Sequence, residues 1–142
     1  ALGDGRLTPL PRPVSLKNES IGVIRRFAPE AIIGPESADT TKGTVAHMKA
    51  PPGTVERGGE TAAPGWVVFP AYQPGAATAL GPVSKGQAMM ALIEDSFNYS
   101  VLGVDGFTAM ADFVDASGCF ELSYGDLDDV VARLTALASD GG

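Results

Sequence analysis

An uncharged run, WVVFPAY at residues 66–72, divides the chain into two differently patterned halves. Its valines and aromatic residues are typical of a strand, and the absence of charge predicts that this strand is buried. Ahead of the run, short strand-like stretches lie between loops rich in glycine and proline. Behind it, apolar residues recur at helical spacing. This order predicts an α/β fold with a β-rich first half and three C-terminal helices.

The start of the chain is predicted to be a hairpin, with a turn at Gly3-Asp4-Gly5 flanked by Leu7, Leu10 and Leu16. One helix and one further strand follow in the first half. Asn18 can cap a helix over residues 19–28, whose apolar side carries Ile21, Ile24 and Phe27. The segment TVAHMKA at residues 44–50 alternates as a half-buried strand does. One face of this strand carries Val45, His47 and Lys49, and the other carries Thr44, Ala46 and Met48.

The second half contains three predicted helices and a short strand, CFELSY. Ser84 and Gln87 form a capping box ahead of the first helix, and Asp105 and Asp126 are the predicted caps of the other two. The predicted inward positions are Met89, Leu92, Ile93 and Phe97, then Phe107, Met110 and Val114, and finally Leu127, Val130, Val131 and Leu134.

The length of 142 residues fits a single domain over residues 1–142. Ala1 and Leu2 resemble the end of a strand whose partners are absent, so we expect the C-terminal portion of a longer domain. No apolar run approaches the ~20 residues that span a bilayer, and no secretory leader pattern occurs. The single Cys119 cannot form an internal disulfide. These features predict a cytoplasmic protein without a membrane partner.

The charge of the chain is unevenly distributed. The net charge of -7 disfavours nucleic acid as a partner. Residues 1–60 hold eight of the ten Lys and Arg residues against seven acids, whereas residues 61–142 hold two against ten. An anionic ligand is therefore expected to contact the first half, although the acids can equally serve to solvate the C-terminal helices.

Several catalytic motifs are absent from the sequence. The phosphate-binding motif G-x-x-x-x-G-K-[ST] requires a Gly-Lys dipeptide, which does not occur in this chain. H-E-x-x-H, C-x-x-C and G-x-S-x-G are also missing. One histidine and one cysteine leave no zinc cluster. These absences disfavour a self-contained hydrolase or metalloenzyme.

Three lysines stand at predicted helix or strand starts, where an anion could bind. In LKNES, Lys17 precedes a helix N-terminus that suits phosphate, and Glu19 could hold Mg²⁺ beside it. In TTKGTVAH, Lys42 offers a point charge and Gly43 permits a close backbone approach. In PVSKGQ, Lys85 precedes another helix. Each stretch has a plainer interpretation: helix capping by Asn18, a polar strand face with one exposed histidine, and an N-cap turn.

The stretch GPVSKGQAMMALIEDSFNYSVLGVDGFTAMADFV resembles the C-terminal part of HPr kinase/phosphorylase. That family has a Pro-Val-x-x-Gly turn, a helix that ends near an Asn-aromatic pair and a Gly-aromatic start to the next helix. The matching residues are Pro82, Val83, Gly86, Asn98, Tyr99, Gly106 and Phe107. Together with LPRPVSLKNESIGVI, TKGTVAH, WVVFPAY and YGDLD, the chain is similar to the bacterial HPr-kinase-related serine kinases over nearly its whole length.

The resemblance implies a phosphoenolpyruvate-carboxykinase-like P-loop kinase fold and phosphoryl transfer from ATP, with Mg²⁺, to a serine of a protein or peptide. It implies catalytic roles at the phosphate or acceptor side for Lys42 and His47. Nucleotide and phosphate contacts fall to Lys17, Asn18, Lys85 and Gly86, and metal binding falls to Glu19.

The chain also departs from that family. The family's Walker A loop and catalytic aspartate lie upstream of residue 1, so the chain alone is expected to be inactive. Lys17-Asn18-Glu19 replaces the family's Glu-x-Arg, and Gln87 stands where the phosphorylase turn has an arginine, which disfavours reverse phosphorolysis. The alternative is a non-catalytic module that binds a peptide or partner. An interrupted sheet also predicts self-association, or pairing with another chain, through an exposed edge.

Overall fold

The computed structural model describes residues 5–96 and 99–140. Within them the protein is a mixed α/β structure with two three-stranded sheets and four helices. The chain divides into two compact units, Thr8–Thr61 and Ala62–Gly142 with Ala1–Leu7. A single domain over residues 1–142 stays a prediction, and Ala1, Leu2 and the Gly3-Asp4 part of the predicted hairpin turn lie outside the described residues. The elements are β1 (Val14–Lys17), α1 (Glu19–Phe27), β2 (Ser37–Thr40), β3 (Gly43–Met48), β4 (Trp66–Tyr72), β5 (Ala79–Pro82), α2 (Lys85–Asp95), α3 (Tyr99–Ala116), β6 (Gly118–Tyr124) and α4 (Leu127–Asp140).

The unit Thr8–Thr61 is an antiparallel sheet in the order β1-β3-β2, with α1 packed on one face. The strand predicted from TVAHMKA is confirmed as β3, and its alternation is confirmed because Ala46 is fully buried while His47 is exposed. The predicted helix over residues 19–28 is confirmed as α1. The core of this unit is formed by Leu16, Ile21 and Ala46, with Ile24, Ile33 and Met48 packed against them.

The second unit has the strand order β4-β6-β5, in which β4 runs parallel and β5 antiparallel to β6. The strand predicted over residues 66–72 is confirmed as β4, but the prediction that it is buried is wrong for most of its length. Val67 is buried, but Trp66 and Tyr72 are 40% and 62% exposed, because β4 is an edge strand. The core here consists of Val67, Ala88, Val114 and Cys119, with Phe69, Val83, Met89, Leu92 and Phe113 packed against it.

The three C-terminal helices are confirmed, and two of their predicted caps are present. Ser84 Oγ accepts from the Gln87 N–H at 3.3 Å, and Gln87 Oε1 accepts from the Ser84 N–H at 3.1 Å. Asp126 Oδ1 accepts from the N–H groups of Asp128 and Asp129 at 2.9 and 3.3 Å. Among the described residues, no helix has the length and apolar character needed to cross a bilayer.

The second of these helices differs from its prediction. α3 begins at Tyr99 and is broken at Gly103, where φ is 54° and ψ is -132°. Asp105 therefore lies inside α3 rather than at its N-cap. Two residues predicted to point inward are half exposed, namely Phe107 at 50% and Val131 at 49%. Phe97, predicted on the α2 face, lies outside the described residues.

Candidate functional site

Asn18 joins the start of α1 to the start of β3. It lies between β1 and α1 with a positive φ of 48°, and its side chain makes no hydrogen bond that caps α1. Instead, the Asn18 N–H donates to the Thr44 carbonyl at 2.9 Å, and Asn18 Oδ1 accepts from the Thr44 N–H at 3.0 Å. The side-chain capping role predicted for Asn18 is wrong, because its amide binds a strand 26 positions further along the chain.

The hairpin between β2 and β3 lies against Asn18. Gly43 has a φ of 81°, and a Cβ atom there would overlap the Asn18 amide, with Cγ and Nδ2 at 3.0 Å. Thr40 Oγ1 donates to the Gly43 carbonyl at 2.6 Å and accepts from the Lys42 N–H at 3.1 Å. The close backbone approach predicted for Gly43 is therefore made to a side chain of this protein, and Lys42 is exposed beside it.

Two of the lysine-bearing stretches thus meet at one place, which we call the Asn18 corner and define as Lys17, Asn18, Glu19, Lys42 and Gly43. The Lys17 backbone is fixed by Ser20, whose Oγ accepts from the Lys17 N–H at 2.8 Å and donates to the Lys17 carbonyl at 2.7 Å. The side chains of Lys17, Glu19 and Lys42 are exposed and make no hydrogen bond within the described residues. Two cations and the N-terminus of α1 therefore remain available to an anion.

Glu19 is the metal ligand implied by the family resemblance. The described residues contain no group of three or more His, Cys, Asp or Glu side chains that could enclose a metal ion. Mg²⁺ commonly takes one or two carboxylates and completes its shell with water and phosphate oxygens. Glu19 is exposed and lies two residues along the chain from Lys17, so its carboxylate could serve in that mode, in which the phosphate would bind together with the metal.

His47 lies on the solvent face of the same sheet, outside the Asn18 corner. In the β1–β3 register Ser15 is opposite His47, and Lys17 is opposite Val45. Directly paired residues project from the same face of a sheet, so His47 and Lys17 share the face turned away from α1. The exposure of His47 agrees with the plainer interpretation of this strand, and its catalytic role stays a prediction.

Lys85 and Gly86 belong to the second unit, at the start of α2. The Lys85 ammonium donates to the carbonyls of Val114 at 2.7 Å, Asp115 at 3.3 Å and Ser117, which are at the C-terminal end of α3. The Val114 carbonyl also accepts from the Ser117 N–H at 3.2 Å, so the lysine adds a charged donor to a helix end that this bond already caps in part. Gly86 is exposed, and a Cβ atom at this position would meet no other atom within 4 Å. Phosphate binding by this pair stays a prediction, and in this conformation the ammonium is already bound.

A small cavity lies elsewhere in the unit Thr8–Thr61. Its volume is about 210 Å³, below the ~300 Å³ at which ligand pockets usually begin. The ion pair between Arg57 Nε and Glu60 Oε2, at 2.9 Å, forms part of its wall. The lining residues are Pro9, Pro52, Gly53, Thr54, Arg57 and Glu60, none of which belongs to the predicted site.

Comparison with known proteins gives no match, since no family model, curated protein or solved structure is significantly similar to this chain. Asn98, one of the residues that carry the resemblance to the kinase family, lies outside the described residues. The Asn18 corner is therefore characterised by its own geometry and charge.

Proposed function

We propose that this chain is part of an ATP-dependent protein serine kinase, in which the Asn18 corner binds the phosphates of the nucleotide. The observation that carries the proposal is the double hydrogen bond between Asn18 and Thr44, because it places Lys17 and Lys42 at one corner of the sheet. The sequence contains no G-x-x-x-x-G-K-[ST], so the P-loop would come from another segment.

The chemistry of such a transfer is mainly positioning and charge neutralisation. The two ammonium groups would neutralise phosphate oxygens as point charges. The N–H groups at the start of α1 would add donors and the positive end of the helix dipole. Mg²⁺, held in part by Glu19, would supply further neutralisation of the nucleotide phosphates. His47, on the solvent face next to Lys17, would stand on the side of the acceptor serine.

Lys17→Met and Lys42→Met are each expected to weaken Mg²⁺-ATP binding about tenfold, since a hydrogen bond to a charged group contributes about 1.5 kcal/mol or more. Calorimetric titration checks this, performed on the chain alone and on the chain extended through a P-loop segment. Lys49→Met is the matched control, because it removes an exposed cation just after β3 but outside the corner. An equal loss in Lys49→Met would indicate general charge attraction and would contradict the site.

A second function, the non-catalytic module that binds a peptide or partner, is favoured by the free edge of β4. The Gly118 N–H donates to the Gly65 carbonyl at 2.8 Å, and the Gln73 N–H donates to the Tyr124 carbonyl at 2.8 Å. These bonds show that the odd-numbered residues of β4 direct their N–H and C=O groups toward β6. The even-numbered residues therefore direct theirs away from β6. No other strand of the described residues pairs with that edge.

Val68→Pro is expected to prevent association through β4 and leave the unit folded, because it removes an N–H that points away from β6. Pro70 already occupies the next outward position, so the strand tolerates proline there. Light scattering at high concentration is the measurement, with Val68→Thr as a control that keeps the N–H. A wild-type protein that stays monomeric, or a Val68→Pro variant that associates equally well, would rule out this edge as an interface.

A further inference from the structure

Ser15 and His47 are directly opposite each other on β1 and β3, in the type of antiparallel pair with the shorter Cα–Cα distance. The hydrogen bond from the Asn18 N–H to the Thr44 carbonyl makes those two residues a hydrogen-bonded pair of the β1–β3 ladder. Hydrogen-bonded and non-hydrogen-bonded pairs alternate along an antiparallel ladder, so Ser15 with His47 is a non-hydrogen-bonded pair. The Cα atoms of such a pair are about 4.5 Å apart, and the side chains are adjacent.

The Ser15 hydroxyl is uncommitted, unlike several other serine hydroxyls of the chain. It is exposed and makes no hydrogen bond within the described residues. His47 is likewise exposed, and its imidazole has no partner in this part of the chain. By contrast, hydroxyl groups donate to a nearby oxygen in Ser20, Ser84, Ser96, Ser117 and Ser139.

The charge around Ser15 suits a phosphate. Lys17 lies on the same face, two residues further along β1 and diagonally across from His47. The other paired positions of this face are Val45 and Ser37, which lie opposite each other. None of these positions carries a carboxylate, so a phosphoryl group on Ser15 would meet one ammonium and one imidazole without a like charge at a paired position.

We infer that Ser15 is a phosphoacceptor of this protein, with His47 as the base and Lys17 beside the phosphate. This inference rests on the proposed kinase function, since it names a serine that the same activity would modify. The Ser15 oxygen bonds to the γ-phosphorus of ATP as the bond from that phosphorus to the bridging oxygen breaks. ADP leaves with the electron pair, and the hydroxyl proton passes to the His47 imidazole.

The test is incubation of the protein with Mg²⁺-ATP, alone and extended through a P-loop segment, followed by phosphosite mapping by mass spectrometry. One phosphate on Ser15 is expected, absent in Ser15→Ala and retained in Ser37→Ala. Ser37 is the matched control because it is an exposed serine of the same face that pairs with Val45 instead of a histidine. His47→Gln is expected to slow labelling of Ser15 about 100-fold, the usual effect of losing a general base.

A serine-containing peptide in the same reaction distinguishes phosphorylation of Ser15 from the proposed kinase function itself. A phosphorylated peptide without phosphate on Ser15, or chain labelling that survives Ser15→Ala, would overturn the inference and leave the kinase function standing. Absence of phosphate from both the chain and the peptide would overturn both. Unchanged Ser15 labelling in His47→Gln would overturn the role of His47 as base, with circular dichroism showing that the variant is folded.

Discussion

Gly43→Ala is expected to destabilise the unit Thr8–Thr61 by about 3 kcal/mol, through two separate effects. The left-handed backbone at Gly43, with φ of 81°, costs a residue with a Cβ about 1–2 kcal/mol. The new methyl group also overlaps the Asn18 amide, which cannot withdraw without losing its bond to the Thr44 N–H. Losing a hydrogen bond of this kind costs about 1 kcal/mol.

Gly53→Ala is the matched control for the backbone effect. Gly53 lies in the same unit with φ of 76°, and a Cβ there meets no atom within 4 Å. Urea denaturation of both variants measures the difference, which we attribute to the Asn18 contact. If the two variants lose equal stability, the close packing of Gly43 against Asn18 contributes nothing to stability. That result would contradict the contact between the hairpin and the Asn18 side chain.

The same variant reports on the proposed site. Displacing the Asn18 side chain removes one of the two bonds that fix the hairpin to the start of α1. Lys42 would then no longer be held beside Lys17. We therefore expect Gly43→Ala to weaken Mg²⁺-ATP binding at least as much as Lys42→Met does, whereas Gly53→Ala leaves binding unchanged.

Features that depend on near neighbours in sequence could be predicted. The capping box of Ser84 with Gln87 spans three residues, and the Asp126 cap spans two or three. The alternation of β3 also follows directly from period-two hydrophobicity. In each case the interacting groups belong to the same element or its boundary, so the local pattern carries the necessary information.

Features that depend on tertiary placement were missed. WVVFPAY has the composition of a buried strand, but its position at the edge of the β4-β6-β5 sheet leaves Trp66 and Tyr72 exposed. Strand composition reports a preference for sheets and does not report the strand order. The start of the second C-terminal helix was also misplaced. It was predicted at Asp105, whereas α3 begins at Tyr99 and is broken at Gly103, close to the predicted start.

The individual residues of the candidate site could be predicted from the sequence, but their proximity in the fold could not. Lys17 and Lys42 each stand beside a predicted helix or strand start, and alternation places His47 on one face of β3 with Val45 and Lys49. Their meeting depends on Asn18, whose sequence signal was that of an ordinary helix cap. The signal that could have corrected this is Gly43, since a glycine that begins a strand after a turn indicates either a positive φ or a close approach.

Lys85→Met is expected to destabilise the second unit by about 2 kcal/mol, because hydrogen bonds to charged groups contribute about 1.5–3 kcal/mol. The lysine joins α2 to the end of α3, across 29 to 32 positions of sequence. Methionine keeps most of the aliphatic length but leaves the carbonyls of Val114 and Ser117 without their cation. The dipole of α3 loses the same positive charge at its C-terminal end.

Arg133→Met in α4 is the matched control, since it removes a cation from the same unit that makes no hydrogen bond within the described residues. Thermal and urea denaturation compare the two variants, and Mg²⁺-ATP titration is performed on both. A stability loss confined to Lys85→Met, with unchanged nucleotide affinity, assigns Lys85 to the α2–α3 junction and leaves phosphate binding to the Asn18 corner. Unchanged stability with weaker Mg²⁺-ATP binding would instead indicate that the Lys85 ammonium contacts the nucleotide and not these carbonyls, as the family resemblance implies.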